Sequence, residues 1–430
     1  MKKFVLSFEL IDSPLLVICS IVVAIGVIVV MAWAPRRVGR TIGVAVAAGG
    51  VMYLVARAAS AAQVFDGPLP AGAARWSALA IAGIAAGVMG VVAAPRVRRI
   101  VGVVVILASV ITGFLGVNSS YGITHTLAAI MGVQTLDRAD LPDTGRDAAG
   151  TATWENWKPP ADMPSSGTVS ALSGDSRIPS GDFPARDASL YLPPAALVKD
   201  PPTLPLIVFM MGQPGSPDPT SLAKALADFA RAHDGLAPIA IVADQTASGD
   251  LDPSCADSAK YGPVATYLNT LVPQWAASHL NVSTDHRLWV LGGFSNGGSC
   301  AAKWAAEYPE VWGHLLDVSG NEYPGSEHPD ATIDEVFGGD AAAFEAATPA
   351  AIMGRTPSRD YAGHVAIFTW GQSDSVFGPG QQRNALAAHA AGFTAMTHVV
   401  TGAGHDGPAL DGALAFAIPE LARVLGLAPS

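Results

Sequence analysis

Four long apolar runs in the first 118 residues restrict what this chain can fold into. The first run, Leu15–Ala34, has twenty residues without a charge. That is enough for a helix rising about 1.5 Å per residue to cross a hydrocarbon core of about 30 Å. The acidic residues Glu9 and Asp12 precede this run, which favours a spanning helix over a cleavable signal peptide. We predict three further spanning helices at about 41–59, 77–94 and 100–118.

The loops between these runs differ in charge, and the difference predicts how the spans are oriented. Six arginines fill the first and third loops, namely Arg36, Arg37, Arg40, Arg96, Arg98 and Arg99. Because short cytoplasmic loops are enriched in Lys and Arg, both loops are expected to face the cytoplasm. The N-terminus, the loop 61–76 and the C-terminal region then lie outside, although Lys2 and Lys3 argue weakly against this. The expected location is the cell membrane, multi-pass, with an extracytoplasmic C-terminal domain.

Composition separates the membrane region from the rest of the chain. Of the 430 residues, 50% are hydrophobic and only 14% are charged, which is too apolar for an ordinary soluble enzyme. Residues 1–136 hold ten of the 25 Lys and Arg and three of the 36 Asp and Glu, a net charge of +7 that leaves −18 for residues 137–430. An acidic domain repels phosphate backbones, so we expect no nucleic acid among the partners of this protein. The apolar runs predict the lipid bilayer as a partner.

Polarity and periodicity predict three domains. The membrane domain covers residues 1–136, and its last part, Tyr121–Leu136, is predicted as an amphipathic helix at the membrane interface. Residues 137–167 are polar and rich in proline and glycine, which predicts a linker. Its tryptophans, Trp154 and Trp157, are expected at the edge of the next domain. Strands and helices alternate over residues 168–430, as in an α/β domain with a mostly parallel central sheet.

The segment Leu288–Gly298 indicates a serine nucleophile in this domain. It reads as a buried strand that leads into Gly293-Phe-Ser-Asn-Gly297 and then into a helix. Small residues on both sides of Ser295 permit a sharp turn from strand to helix, which exposes the hydroxyl. A glycine-rich turn without a catalytic role fits the five residues equally well, but the flanking strand and helix favour the nucleophile.

A serine hydroxyl is a weak nucleophile and needs a base and an acid that orients the base. A predicted strand at 364–371 leads to Asp374, the candidate acid, and another at 395–401 leads through glycines to His405, the candidate base. Asp406 and Asp411 are competing candidates for the acid. Asp406 is the weaker of these two, because it is adjacent to His405 and so is expected to point elsewhere.

An acyl-transfer site also needs two backbone N–H groups that form an oxyanion hole. One is the N–H of the residue after the nucleophile, Asn296. The other is expected in the loop after the strand Leu204–Met211, where Gly212 permits close approach of the backbone to substrate. We predict the N–H of Gln213 as this donor, uncertain by about one residue.

Three cysteines and one insertion complete the predicted features. Cys19 lies within a span, whereas Cys255 and Cys300 lie in the outer domain and form either a disulfide or two buried thiols. The insertion Asn321–Arg359 is expected above the active site as a lid or acyl-binding wall, or else as a plain surface excursion. No Cys/His spacing typical of a metal site and no phosphate-binding glycine loop occurs, so we expect no metal and no cofactor.

Residues 167–426 resemble the esterases of the esterase D type within the α/β-hydrolases, a family that includes the mycolyltransferases of actinobacterial envelopes. The shared motifs are Gly293-Phe-Ser-Asn-Gly-Gly298, Tyr308-Pro-Glu310, Asp317-Val-Ser-Gly320, Gly371-Gln-Ser-Asp374 and Gly402-Ala-Gly-His-Asp406. The resemblance implies an esterase or acyltransferase that uses Ser295, Asp374 and His405. Many members have His-Gly where this chain has Met211-Gly212, so the oxyanion loop departs from the family. Related actinobacterial proteins also imply aminoacyl-phosphatidylglycerol as one candidate substrate.

The sequence therefore predicts a membrane-anchored extracytoplasmic serine esterase that hydrolyses an ester of a cell-envelope lipid through an acyl-enzyme. An acyltransferase of the mycolyltransferase type is an alternative, because the acceptor cannot be read from residues. For either activity, the expected substrate is a lipid ester or a small ester. A non-catalytic envelope protein for binding or assembly is the second alternative. A transporter is disfavoured, since the predicted spans lack the acidic, lysine or paired polar residues that usually line a pathway.

Overall fold

A computed structural model describes residues 5–11, 13–62, 64, 69–92, 95–141, 150–248 and 251–429. The chain divides into two compact units. The helical unit comprises residues 1–130 together with the short segment 403–408, and the sheet unit comprises residues 131–402 and 409–430.

The helical unit is built from four long helices. They are α1 (Pro14–Ala32), α2 (Val38–Ala61), α3 (Ala71–Val91) and α4 (Arg96–Tyr121), and a single turn, α5 (Leu127–Ile130), follows. Each of the four coincides with one of the predicted spans, and each is long and apolar enough to cross a membrane. Most of their large apolar side chains are exposed. Such a surface is unusual in a soluble protein and is what lipid contact requires.

Small residues let α3 and α4 approach closely. A side chain at Gly87 would overlap the backbone of Gly102, and one at Gly102 would overlap the carbonyl of Gly87. Membrane helices associate through such small residues, because lipid supplies no hydrophobic driving force between helices. Replacing either glycine would therefore push α3 and α4 apart.

The sheet unit contains one eight-stranded sheet. Its strands are β1 (Thr168–Leu172), β2 (Ala188–Leu192), β3 (Leu206–Met210), β4 (Ile239–Ala243), β5 (Trp289–Phe294), β6 (His314–Val318), β7 (Val365–Gly371) and β8 (Thr394–Val400). The spatial order is β1-β2-β4-β3-β5-β6-β7-β8, in which β2 is antiparallel to both of its neighbours, β1 and β4, and all other neighbouring strands are parallel. The predicted mostly parallel sheet is confirmed. Strands β2 to β7 are buried along their whole length, as expected of a sheet covered on both faces.

Helices connect the parallel strands. They are α6 (Thr220–Ala232), α7 (Val264–Thr266), α8 (Val272–His279), α9 (Asn296–Glu307), α10 (Pro329–Glu335), α11 (Ala341–Ala346), α12 (Pro349–Arg355), α13 (Gly378–Ala391) and α14 (Gly407–Val424). A π-helical segment, Tyr267–Leu271, joins α7 to α8. This helical stretch begins directly after Pro263.

Two predictions about the middle of the chain differ from the structure. The prediction of an interfacial helix over 121–136 is wrong. Helix α4 ends at Tyr121, the next residue, Gly122, has a positive φ of 66°, and only the short α5 follows. The described part of the predicted linker, 137–141 and 150–167, belongs to the sheet unit. There Ala139 N donates to Ala171 O at 2.8 Å, and the Trp157 indole donates to Asp234 O at 2.8 Å. The boundary between the units lies at 130/131, not at 136/137.

Candidate active site

Ser295 occupies a strained turn between β5 and α9. Its φ and ψ are 55° and −123°, a conformation that non-glycine residues rarely adopt, and Asn296 begins the helix. The backbone N–H of Ser295 donates to Val318 O at 2.9 Å, so the turn is fixed against the end of β6. A strained serine at the tip of a strand is what a nucleophile elbow requires.

The glycines on either side of Ser295 make this turn possible. A Cβ at Gly293 would overlap the backbone of Gly297, and a Cβ at Gly297 would overlap the backbone of Met210 in β3. Both positions therefore exclude any side chain. This is the physical reason for the glycine spacing that the sequence shows around Ser295.

A second serine, Ser319, follows the neighbouring strand in a similar backbone conformation, with φ 51°. Its side chain is fully buried, and its hydroxyl has no hydrogen-bond partner. Ser295 is also buried, but 9% of its surface remains exposed. Of these two strained serines, only Ser295 retains any exposed surface.

The loop after β3 lies directly beside the nucleophile. A Cβ at Gly212 would lie 3.1 Å from the Ser295 Cβ and 3.6 Å from its Oγ. Gln213, the predicted donor, is the next residue, is half-buried and precedes a cis peptide bond to Pro214. Asn296, the other predicted donor, is buried at the start of α9. The structure thus brings both predicted donor segments to Ser295.

Two polar residues, Arg186 and Ser189, hold the second half of this loop. Arg186 forms a bidentate ion pair with Asp244, at 2.7 Å between Nη2 and Oδ1, and also donates to Gly215 O at 2.6 Å. Ser189 Oγ donates to Pro217 O at 2.8 Å. Because Asp244 is fully buried, its charge requires the arginine partner. The loop is therefore held at Gly215 and Pro217.

Asp374 lies in the turn after β7 and is 4% exposed. Its Oδ1 accepts hydrogen bonds from Phe377 N at 3.0 Å and Val376 N at 3.3 Å. These bonds fix the orientation of the carboxylate. Gln372 Oε1 in the same turn accepts from Gly402 N at 3.0 Å, so the turn is tied to the start of the loop after β8.

His405 lies in that loop, within the segment 403–408 that groups with the helical unit. The loop leaves the sheet unit after β8 and returns to it in α14, so His405 follows the carboxyl end of the strand beside β7. Ser295 and Asp374 belong to the sheet unit. The three residues follow the carboxyl ends of β5, β7 and β8, and their action as a triad stays a prediction.

The two competing acids have other surroundings. Asp406 Oδ2 accepts from Gly404 N at 3.1 Å, so this carboxylate closes its own loop. Asp411 is exposed on α14 and lines a groove of about 320 Å³ between α6 and α14, together with Lys224 and Asp228. Of the three candidates, Asp374 is the one that directly follows a strand of the central sheet.

A buried carboxyl beneath the elbow was not assigned a role from sequence. Asp317 in β6 is fully buried, and burial raises the pKa of its carboxyl to about 7 against the opposing effect of two hydrogen bonds. Gln381 Nε2 donates to it at 2.9 Å and Gly320 N at 3.0 Å. A side chain at Gly298 would overlap the Asp317 carboxylate, so this group packs under the first turn of α9.

Cys255 and Cys300 are joined by a disulfide, with their Cα atoms 5.3 Å apart. Cys300 is buried in α9, so the bond fixes the loop around Cys255 against the helix that carries the elbow. Within the described residues, Cys19 remains a free thiol, as expected. The same residues contain no cluster of three His, Cys, Asp or Glu side chains that could hold a metal ion.

The insertion 321–359 forms the short helices α10 to α12. Of these, α12 packs beside α9 and α13, and Glu335 of α10 binds the loop of Cys255 through Lys260 Nζ at 2.6 Å and Tyr261 Oη at 2.7 Å. Phe337 and Phe344 meet edge to face inside the insertion, with their ring centroids 5.5 Å apart. The insertion is therefore a folded layer beside the elbow helix, and its role as a lid stays a prediction.

Gln245 and Asp252 are site residues that the sequence reasoning missed. Gln245 contacts both donor segments, and Asp252 binds the side chain of Asn296. One signal could have found Gln245. Polar residues directly after a buried parallel strand lie at the edge where ligands bind, and Asp244-Gln245 directly follow β4.

Comparison with known proteins gives a partial match. No family model matches the chain. An uncharacterised protein of Corynebacterium glutamicum is 38% identical over 210 residues, which cover 47% of this chain and 49% of that protein. The chain thus matches about half the length of this relative.

Solved structures similar to the chain include hydrolases of esters. A ferulic acid esterase is 13% identical, covers 60% of this chain and 98% of its own, and gives a TM-score of 0.49. An S-formylglutathione hydrolase from Agrobacterium tumefaciens is 14% identical, with coverages of 62% and 98% and a TM-score of 0.48. A fluorophosphonate-binding serine hydrolase of Staphylococcus aureus is 14% identical, with coverages of 60% and 99% and a TM-score of 0.46.

Proposed function

We propose that this protein is a serine esterase in which Ser295 is the nucleophile. The observation that carries the proposal is the strained turn at Ser295, held between Gly293 and Gly297 with Gly212 beside its hydroxyl. Backbone strain at a non-glycine residue costs stability and is often found at catalytic residues, so a catalytic use of Ser295 explains it. The buried Ser319, in the adjacent loop, is the contrasting case.

In the proposed mechanism, Ser295 Oγ attacks the ester carbonyl while His405 takes its proton. Asp374 holds the imidazole and stabilises the imidazolium that forms. The backbone N–H groups of Asn296 and Gln213 stabilise the oxyanion of the tetrahedral intermediate. The alcohol leaves with the proton from His405, and water then releases the acyl group in a second step of the same kind.

We infer that the catalytic domain lies outside the cytoplasm on a membrane anchor. The four helices α1 to α4 are long and apolar enough to span a bilayer, and arginines cluster at the starts of α2 and α4. The Cys255–Cys300 disulfide supports the same placement, because disulfides persist in oxidising compartments. An ester of an envelope lipid, with aminoacyl-phosphatidylglycerol as one candidate, is the substrate we propose.

Hydrolysis of a water-soluble p-nitrophenyl ester by the full chain tests the proposed chemistry. Ser295→Ala should lower kcat by about 10⁴-fold or more, since triad residues act as a unit. Ser319→Ala is a matched control, because it removes a hydroxyl from a serine in a similar backbone conformation one strand away. Comparable activity in the two variants would contradict the proposal.

A shortened chain tests the proposed lipid substrate. It should begin at Met131, because residues 137–141 and 150–157 are hydrogen-bonded into the sheet unit. The segment 403–408, which holds His405, groups with the helical unit that is removed, so each form is measured on both the vesicle ester and the water-soluble ester. We expect the ratio of the vesicle rate to the water-soluble rate to be lower in the shortened chain, since the effective concentration that anchoring supplies is lost. Equal ratios in the two forms would leave the esterase and overturn the lipid substrate.

A further inference from the structure

Gln245 connects the two segments that carry the predicted oxyanion donors. It lies two residues after β4 and is 4% exposed. Its Nε2 donates to Met211 O at 2.6 Å and to Asn296 Oδ1 at 3.0 Å. One buried amide nitrogen thus bonds to the loop after β3 and to the first residue of α9.

The bond to Met211 fixes the orientation of a peptide group beside Ser295. The carbonyl of Met211 and the N–H of Gly212 belong to one planar trans peptide group, so they point in opposite directions. Holding the carbonyl towards Gln245 therefore holds the Gly212 N–H away from it. The N–H of Gln213 belongs to the next peptide group, which is joined to this one at the Cα of Gly212.

The bond to Asn296 fixes the other segment. Asn296 Oδ1 accepts from Gln245, and its Nδ2 donates to Asp252 Oδ1 at 3.1 Å, so both ends of this amide are engaged. Asp252 Oδ1 also accepts from Ser254 N at 2.8 Å, next to the Cys255–Cys300 disulfide. The chain of bonds Met211–Gln245–Asn296–Asp252 therefore runs from the oxyanion loop across the elbow to a covalently fixed loop.

We propose that Gln245 is a positioning residue that holds the two oxyanion-donor segments in register with Ser295. The inference rests on the proposed esterase function. Gln245 itself donates to Met211 and Asn296, and its effect on the reaction is through them. Because an oxyanion hole works by placing donors before charge develops, loss of this bridge should weaken the transition state more than the bound substrate.

The test uses the full chain with Gln245→Met, which keeps the length of the side chain and removes the donor. On a water-soluble p-nitrophenyl ester, we expect kcat to fall about 10- to 100-fold and KM to change by less than about threefold. The inhibition constant of a trifluoromethyl ketone, which forms an oxyanion on the serine, should rise in parallel with the fall in kcat/KM.

Asn269→Leu is the matched control. Asn269 is also a buried amide with two hydrogen bonds, to Ala265 O and from the Trp312 indole, and neither partner belongs to a donor segment. It should lower stability like Gln245→Met while leaving kcat and the inhibition constant within about twofold of the wild type. Equal kinetic effects in both variants would show that Gln245 is only structural.

Gln245→Glu provides a second readout that does not depend on how Gln245→Met folds. The ionised carboxylate of this variant has no hydrogen to donate to Met211 O or Asn296 Oδ1, whereas the protonated carboxyl can donate one hydrogen bond. The ratio of variant to wild-type kcat should therefore rise as pH falls. A ratio independent of pH, or wild-type kcat at every pH, would overturn the inference.

The failure of this inference can be distinguished from the failure of the proposed function. If Ser295→Ala is inactive and the Gln245 variants have wild-type kinetics, only the inference is overturned. If Ser295→Ala is active, the proposed function is overturned.

Discussion

Gly212 lies so close to Ser295 that a Cβ at residue 212 would be 3.1 Å from the serine Cβ. A contact this short displaces the neighbouring atoms by a few tenths of an ångström but still permits the fold. The loop after β3 and the elbow after β5 therefore fit without displacement only when residue 212 has no side chain. The close approach follows from the register of the parallel strands, in which Met210 pairs with Gly293.

Gly212→Ala should consequently reduce catalysis more than stability. We expect kcat/KM on a water-soluble ester to fall about 10- to 100-fold, because small displacements of reacting groups are costly. Gly354→Ala is the control, since a Cβ at this glycine of α12 meets no atom within 4 Å. Steady-state kinetics with thermal unfolding of both variants provide the measurement. Unchanged kinetics in Gly212→Ala would show that the loop adjusts freely.

The identity of the acid can be tested by substituting each candidate separately. Asp374→Asn should lower kcat by about 10³- to 10⁴-fold, because the imidazole loses the group that orients it. Asp411→Asn, on the exposed face of α14, should stay within about twofold of the wild type. Asp406→Asn should mainly affect the loop that its carboxylate closes through Gly404 N. A larger loss of kcat in Asp406→Asn than in Asp374→Asn would transfer the acid role to Asp406.

The buried carboxyl of Asp317 predicts a dependence of stability on pH. Its pKa is raised from 3.8 to about 7 by burial, so the folded state keeps a proton that the unfolded state releases between these values. Its contribution to the free energy of unfolding is present below about pH 4 and falls by about 1.4 kcal/mol per pH unit up to about pH 7.

Asp317→Asn removes this titration. Denaturant unfolding of the chain from Met131, at several pH values between 4 and 7, should show the variant gaining stability relative to the wild type as pH rises. Burial lowers the pKa of His314 to about 4, which makes stability fall as pH falls below about 6.5. Because both proteins retain His314, the difference between them isolates Asp317. A difference independent of pH would show that Asp317 does not titrate in this range.

Membrane orientation can be measured with single cysteines in a Cys19→Ala background. Ala62→Cys, after α2, should react with an impermeant thiol reagent in intact cells, whereas Gly39→Cys, beside the arginines at the start of α2, should react only after permeabilisation. Both residues are exposed. Labelling of Gly39→Cys alone in intact cells would reverse the orientation and place the esterase in the cytoplasm.

Local patterns predicted the elements of this fold well. The strands predicted at 364–371 and 395–401 lie within one residue of β7 and β8, because apolar runs between turn residues define a strand locally. The end of α4 was not predicted, because a glycine permits several backbone conformations and the left-handed conformation of Gly122 is only one of them. The place of Ala139 in the sheet unit was not predicted, since its bond to Ala171 joins residues distant in sequence. Trp157 was expected at the edge of this domain, where its indole donates to Asp234 O.

The site was predictable to the extent that its chemistry is local. The strained turn at Ser295 depends on Gly293 and Gly297, which lie within two residues of it. The bridge made by Gln245 depends on the alignment of β3, β4 and β5, and on the rotamer of one side chain. Neither is encoded in a short motif, so this part of the site required the structure.

The central claim is that Ser295 is an activated nucleophile, and covalent labelling tests it most directly. The full chain, incubated with a fluorophosphonate and digested, should yield one modified peptide with the phosphonyl group on Ser295. Only a serine activated by a neighbouring base reacts at an appreciable rate. The adduct should disappear in His405→Ala. An unmodified protein, or an adduct on any other serine, would contradict the account.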